Sequence, residues 1–486
     1  MQFRCIIPLQ RLFNLVLVCI AVAIPQQLLA ANKVKFSGKV ANPTADTIEV
    51  SYNDNNLAYY PKKFTAHLDK KGNFDLTFPL PDNEYVLVQL AYANSLADII
   101  LQHGDSIFMT VDARRFDSTV NYKGRGAAVQ NFIAAHTIKR GRINQYPNNV
   151  KSQLHKDPAD FIKAIDIEYN IEAAMADKWT PALSPSFIAY WRAFHRYYNY
   201  FFIQQYPQAH QIIKVRRFTD TIPNAYYSVV RSMPRAFNDS LLMLPPYLLY
   251  LTGVFEASMK ADSFIAMGKD TTMAYRIEDS VYKLAFKLLP DKSLEYFIAQ
   301  NLYGRAKNQR LARTEALLST FKHRWPNSTY MPLLDKQVTL ARRLAPGQPA
   351  PDFDIRTADG GHMKLSDLKG KVVYLGFWAG WCRQCVGEMV SGKMVRDLIR
   401  KKPLEFVYAS IGTDTSGERA LAERYHIEGL FTNFPEGWNA KEVQAYGVQS
   451  LPAFYLIDED GNFAVQRPPY PSQTTELVIE IEKLFK

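Results

Sequence analysis

A chain of 486 residues exceeds what one hydrophobic core can hold, and its length alone suggests about three domains. Hydrophobic residues make up 47% and charged residues 22%, an ordinary globular balance that excludes disorder as the default state. The net charge of +11 is scattered, with no block of five or six like charges, which argues against nucleic acid as a partner.

The chain opens with Arg4 and Arg11, the apolar run LFNLVLVCIAVAI, a break at Pro25 and the small residues of QQLLAAN. These are the three parts of a secretory signal peptide, so residues 1–30 are expected to be removed by cleavage after Ala30 or Ala31. The apolar run is about 13 residues long, short of the roughly 20 that span a bilayer. Cys19 follows LVLV, without the small residues expected before an acylated cysteine.

Residues 31–125 alternate with a period of two in KVKFSGKV, DTIEVSY, NFDLTFPL, YVLVQLAY and DIILQHGDSIFMTVD, divided by turn formers such as Lys71-Gly72-Asn73 and Gly104-Asp105. The expectation is an antiparallel β-sandwich-like module. His103 beside Asp105 is read as an ordinary turn pair. Over residues 126–343 the period becomes helical, as in VQNFIAAHTIKRGRI, SFIAYWRAFHRYYNYFFIQQY and RTEALLSTFKHRW. The aromatic residues between Tyr190 and Tyr206 fit the packed interior of an all-α region.

LAPGQPAPDFDI places three prolines and a glycine in a short span, which no helix continues through, and marks the start of a separate α/β unit over residues 344–486. There KVVYLGFW reads as a strand buried on both faces, followed by a helix from about Cys382. LEFVYASIG is a second buried strand, ERALAERYHI a helix, AFYLIDEDGNFAVQ a hairpin turning at Asp460-Gly461, and TTELVIEIEKLF a terminal helix. The sum is a central mixed sheet with helices on both faces.

The chain has four cysteines, and removal of the leader with Cys5 and Cys19 leaves only Cys382 and Cys385. A bridge over two intervening residues closes almost no loop and is nearly useless as a staple, so its value lies in opening and closing. A zinc site would need two more ligands, and His362 and His426 stand at no recognisable ligand spacing; no metal is expected.

GQPAPDFDIRTADGGHMKLSDLKGKVVYLGFWAGWC, CRQCVGEM and YGVQSLPAFYLIDEDG, with the spacing among them, resemble the thioredoxin superfamily, and within it the exported TlpA/ResA-like thiol-disulfide oxidoreductases. The resemblance covers about 140 residues. It implies Cys382 as the attacking thiol, placed where the unpaired N–H groups and dipole of a helix amino terminus lower a thiol pKa from about 8.5. Cys385, one turn further, would resolve the mixed disulfide. Arg383 adds positive charge near the thiolate, and Trp381 would shield the pair and offer an apolar contact to a partner. In the family the proline matching Pro452 is cis and lies against the active-site disulfide, where backbone beside it, at Leu451, can pair with an extended substrate segment. The buried acid that ordinary thioredoxins carry on the strand before the motif is replaced here by Gly376; Glu388, three residues after Cys385, matches the ResA-like base instead. Gln384 stands where many members have proline, which leaves the direction of electron flow open. A peroxiredoxin is disfavoured, because its threonine and proline arrangement is missing from GFWAGWC.

The function expected is that of an exported thiol-disulfide oxidoreductase of the bacterial periplasm or cell envelope. It would reduce disulfides of specific envelope proteins, draw electrons from a membrane thiol donor, and need no cofactor beyond the Cys382–Cys385 redox-active disulfide. The competing expectation is a partner-binding scaffold whose thioredoxin-like domain serves as a docking surface or acts on one bound partner only.

Overall fold

The computed structural model describes residues 33–486, apart from 54–56, 58–60, 83, 144–145, 214–221, 235–236, 264–270, 308–310, 357–360, 413–414, 466 and 486. The expected signal peptide, with Cys5 and Cys19, lies outside the described residues. The chain divides into two compact units between Phe297 and Ile298.

The first unit begins with β1 (Lys33–Ala41), β2 (Thr47–Tyr52), β3 (Lys62–His67), β4 (Asn73–Pro79), β5 (Val86–Tyr92), β6 (Ser95–Leu101), β7 (Ser106–Asp112) and β8 (Asn121–Arg125). Two four-stranded sheets result, in the orders β4-β1-β7-β8 and β3-β2-β5-β6. Pairing is antiparallel throughout except between β1 and β7, which run parallel. Alternate residues such as Val34, Phe36, Val50, Val88, Leu90 and Met109 meet in one core between the sheets, as the period of two requires.

Helices α1 (Ala127–Arg140), α2 (Pro158–Asp177) and α3 (Pro185–Ile213) follow. Gln130 of α1 receives a hydrogen bond from the backbone N–H of Ile100, so the helix continues the sandwich. Between the three helices the sequence hides a polar knot. Glu172 is buried and takes hydrogen bonds from His136 Nε2 at 2.8 Å and Arg140 Nε at 3.1 Å, with His195 Nε2 at 3.9 Å. Burial alone would raise the Glu172 carboxyl, but the hydrogen bonds from His136 and Arg140 hold it below the ordinary range. Burial also pushes the His195 imidazole down to about 3, so it stays neutral at physiological pH. A carboxyl lowered in the folded state contributes stability that is complete above its unfolded pKa of about 4.3 and is lost as pH falls through the folded value. Glu172→Gln is therefore expected to cost about 1–3 kcal/mol at pH 7, a deficit relative to wild type that shrinks at acid pH when both are unfolded in urea.

The second unit holds the end of α4 (Asp291–Lys307), then α5 (Leu311–Arg324), α6 (Met331–Arg343) and an α/β sheet. Its strands are β9 (Asp354–Arg356), β10 (His362–Lys364), β11 (Val372–Trp378), β12 (Leu404–Ser410), β13 (Leu430–Asn433), β14 (Ala453–Ile457) and β15 (Phe463–Val465), in the order β10-β9-β13-β12-β11-β14-β15. β11 sits inside the sheet, parallel to β12 and antiparallel to β14, and every one of its residues is buried. Cores on the two faces of the sheet confirm the sandwiching that its continuous apolar run predicts. The remaining helices are α7 (Arg383–Ile399), α8 (Thr415–Arg424) and α9 (Thr474–Lys483). The change of pattern at residue 344 does not coincide with the edge of this unit. Arg343 of α6 bonds the carbonyl of Ala445 at 2.7 Å, and a Cβ on Gly447 would stand 2.4 Å from Leu340 Cδ2. Among the described residues no helix is long and apolar enough to cross a membrane.

Candidate active site

β11 delivers the chain to a short loop, Ala379 to Trp381, from which α7 starts at once. Cys382 is the cap residue of α7 and its backbone N–H bonds the carbonyl of Ala379 at 2.9 Å. Cys382 and Cys385 form a disulfide with Cα atoms 5.2 Å apart. Cys382 Sγ also accepts the N–H of Cys385 at 3.2 Å, one of the helix's otherwise unpaired donors. The two cysteines differ in depth: Cys385 is 0% exposed and Cys382 7%. An attacking partner therefore meets Cys382 first.

Around the pair the expected residues fall as follows. Arg383 is exposed at the first turn of α7, and Trp381 is 69% exposed, its ring open to solvent. Leu451-Pro452 is a cis peptide immediately before β14, and Leu451 packs against the core that holds both cysteines. Glu388 faces inward and is buried, rather than lying on the solvated face of its helix. Its carboxylate accepts two hydrogen bonds from Ser472, from the backbone N–H and from Oγ, both at 2.9 Å. Gly376 occupies the middle of β11, opposite Phe454 of β14. A Cβ there would stand 2.6 Å from Phe454 Cε1 and 3.4 Å from Tyr408 Cδ1, so aromatic rings fill the space where an ordinary thioredoxin keeps its acid. Among the described residues no group of three or more His, Cys, Asp or Glu side chains is arranged to hold a metal.

One residue of the site has no counterpart in the sequence reasoning. Glu418 of α8 is buried and accepts the backbone N–H of Gly380 at 3.0 Å, while its second oxygen takes Ser410 Oγ at 2.5 Å. Ser410 Oγ in turn accepts the N–H of Gly412 at 3.0 Å. The carboxylate thus fastens the loop ahead of Cys382 to the end of β12. A Cβ on Gly412 would come within 2.1 Å of Glu418 Oε1, so a larger residue there displaces the carboxylate from its hydrogen bonds. In the sequence Glu418 looks like any acid in a helix's first turn, and only Gly380 and Gly412 hint that something bulky lies between them. Glu418→Ala leaves buried donors unsatisfied, so a loss of about 1–3 kcal/mol in unfolding free energy is expected, with kcat/KM for disulfide exchange down about tenfold through loop misplacement. Glu418→Gln retains one acceptor and should recover most of both.

Residues 345–475 match the Redoxin family model. The thiol-disulfide oxidoreductase ResA of Bacillus anthracis is 32% identical over 122 residues, 25% of this chain and 68% of the relative. The chain belongs to the ResA-like thiol-disulfide oxidoreductases. The thioredoxin-like protein YneN of Bacillus subtilis (strain 168) is 36% identical over 118 residues, 24% of this chain and 66% of YneN. The thioredoxin domain of a thiol-disulfide oxidoreductase from Bacteroides vulgatus aligns over 29% of this chain and 99% of its own, with 20% identity and a TM-score of 0.27. The chain spans about two thirds of the length of the curated relatives it matches, among them a ResA from Geobacillus thermodenitrificans (strain NG80-2) at 66%. Membership of the ResA-like group rests on the α/β unit; the first unit lies outside the matched residues.

Proposed function

We propose that this protein is an exported reductant of disulfides in specific proteins of the bacterial envelope, recharged by a membrane thiol donor. The observation that carries the reading is the unequal depth of the two sulfurs at the amino terminus of α7. In the reduced enzyme the Cys382 thiolate, favoured by the helix end and by Arg383, attacks one sulfur of a substrate disulfide. The substrate S–S bond breaks, a mixed disulfide with Cys382 forms, and the first substrate thiolate leaves. Cys385, its proton taken by Glu388 one turn along the helix, then attacks Cys382 Sγ and expels the second substrate thiolate. Two electrons pass to the substrate, which ends as a dithiol, and the enzyme ends with the Cys382–Cys385 bridge. Trp381 supplies an apolar contact, and the backbone at Leu451 and Pro452 pairs with the substrate strand. The thiol-disulfide chemistry is supported by the ResA relatives, and export by the amino-terminal sequence pattern.

The scaffold alternative is separated by the full chain carrying Cys382→Ser and Cys385→Ser together. Loss of both dithiothreitol-driven peptide reduction and the cellular phenotype supports the oxidoreductase; full replacement of the wild type in cells defeats it.

A further inference from the structure

Between β15 and α9 the chain reads PPYPS, from Pro468 to Ser472. Prolines fix φ and have no N–H to offer a sheet or helix, so the path of this strap is set by other contacts. Pro468 and Pro471 are buried. The hydroxyl of Tyr374, on β11, donates to the Pro469 carbonyl at 2.8 Å. The Tyr470 ring packs against Phe454 of β14, two residues after Pro452, with centroids 5.6 Å apart. The backbone N–H of Tyr470 donates to Gln473 Oε1 at 3.1 Å. The strap is therefore fastened to β11 and β14 before it reaches Ser472.

Ser472 joins the strap to α7. Its N–H donates to Glu388 Oε2 and its hydroxyl to Oε1, each at 2.9 Å, so both oxygens of the carboxylate are held. Glu388 is buried, and burying a carboxylate without donors is costly, which these two bonds offset. A carboxylate oxygen has two lone-pair sites, so a donor from Ser472 leaves capacity for the proton of Cys385, one turn away on the same helix. A carboxylate released from the strap would turn about its side-chain torsions and face the thiol for a smaller share of the time.

We propose that Ser472 is a positioning residue for the resolving step, holding the Glu388 carboxylate in the orientation from which it takes the Cys385 proton. This inference rests on the reading of Glu388 as the base and names the group that holds it.

The test uses the full chain with Cys5→Ser and Cys19→Ser, so that Cys382 and Cys385 are its only thiols. The reduced protein, freed of reductant, is mixed in a stopped-flow instrument with one equivalent of dithiobis(nitrobenzoate). Cys382 attacks, the probe S–S bond breaks, and one coloured thiolate leaves. Cys385 then attacks Cys382 Sγ, its proton passes to Glu388, and the second coloured thiolate leaves. Ser472→Ala is expected to slow the second release about five- to tenfold and to leave the first unchanged. Ser472→Thr keeps the hydroxyl, and its methyl has room at this exposed position, so the second release should return to the wild-type rate. Glu388→Gln should slow the second release further, by about a hundredfold. A Ser472→Ala chain with both releases at wild-type rates, beside a slowed Glu388→Gln chain, overturns the Ser472 assignment and leaves the base in place. Both releases slowed alike, without recovery in Ser472→Thr, also overturns it, since that marks a general loss of structure. If Glu388→Gln gives both releases at wild-type rates, the base reading fails and the inference falls with it.

Discussion

Cys382→Ser is expected to lower disulfide exchange by at least about a thousandfold, because no other described residue offers a thiol at the exposed helix end. Cys385→Ser stops the same reaction one step later. Cys382 still attacks and forms the mixed disulfide, but the buried resolving sulfur is missing, so the substrate stays attached. On non-reducing gels the Cys385→Ser chain should accumulate a band shifted by the mass of the substrate and cleared by dithiothreitol. The Cys382→Ser chain should show none. A reversed pattern, with trapping by Cys382→Ser, would assign the attack to Cys385 and contradict the depth argument.

Gly376→Asp, which restores the acid of ordinary thioredoxins, is expected to destabilise this protein by about 4 kcal/mol or more. Two costs add. The new Cβ meets the Phe454 ring at 2.6 Å, and Phe454 is itself stacked on Tyr374 with centroids 5.2 Å apart, so the ring has little room to yield. The carboxyl would then be buried among the rings of Phe454 and Tyr408, with its charge unpaired. Gly376→Ala bears only the first cost and should lose roughly half as much. Urea unfolding of the three chains measures this directly. A Gly376→Asp chain as stable as wild type, with faster exchange, would mean that the acid fits and that the site is organised as in ordinary thioredoxins.

What the sequence made legible followed from local pattern. VVYLGFW had to be a buried strand because it offers no polar face, and CRQC had to stand where that strand hands over to a helix. The hairpin at Asp460-Gly461 was likewise local, whereas the cis peptide at Leu451-Pro452 was implied only by the family resemblance. β3 and β13 were not legible, since KKFTAH and LFTN carry too few alternating residues to form a pattern. The spacing of Glu388 pointed to a role, but not to burial, because its partner Ser472 lies 84 residues away. Glu418 was missed for the same reason: the groups that define it, Gly380 and Ser410, meet only in the folded sheet. The knot of Glu172, His136, Arg140 and His195 joins three helices whose periodicity gives no sign of it. The proline-rich stretch from residue 344 marks where the helical pattern stops, whereas the second compact unit already begins at Ile298. That α6 packs back onto Gly447 is a fact of shape, carried by one glycine with φ of +63° and the side chain of Leu340.

Thiol alkylation of the full chain, after equilibration with graded ratios of reduced and oxidised dithiothreitol or glutathione, reads the redox equilibrium of the Cys382–Cys385 pair. A reversible two-electron transition at about −250 mV or lower is the expected result, as a reductant recharged by a dedicated donor requires. A midpoint near about −120 mV, or a pair that does not titrate reversibly, would contradict it.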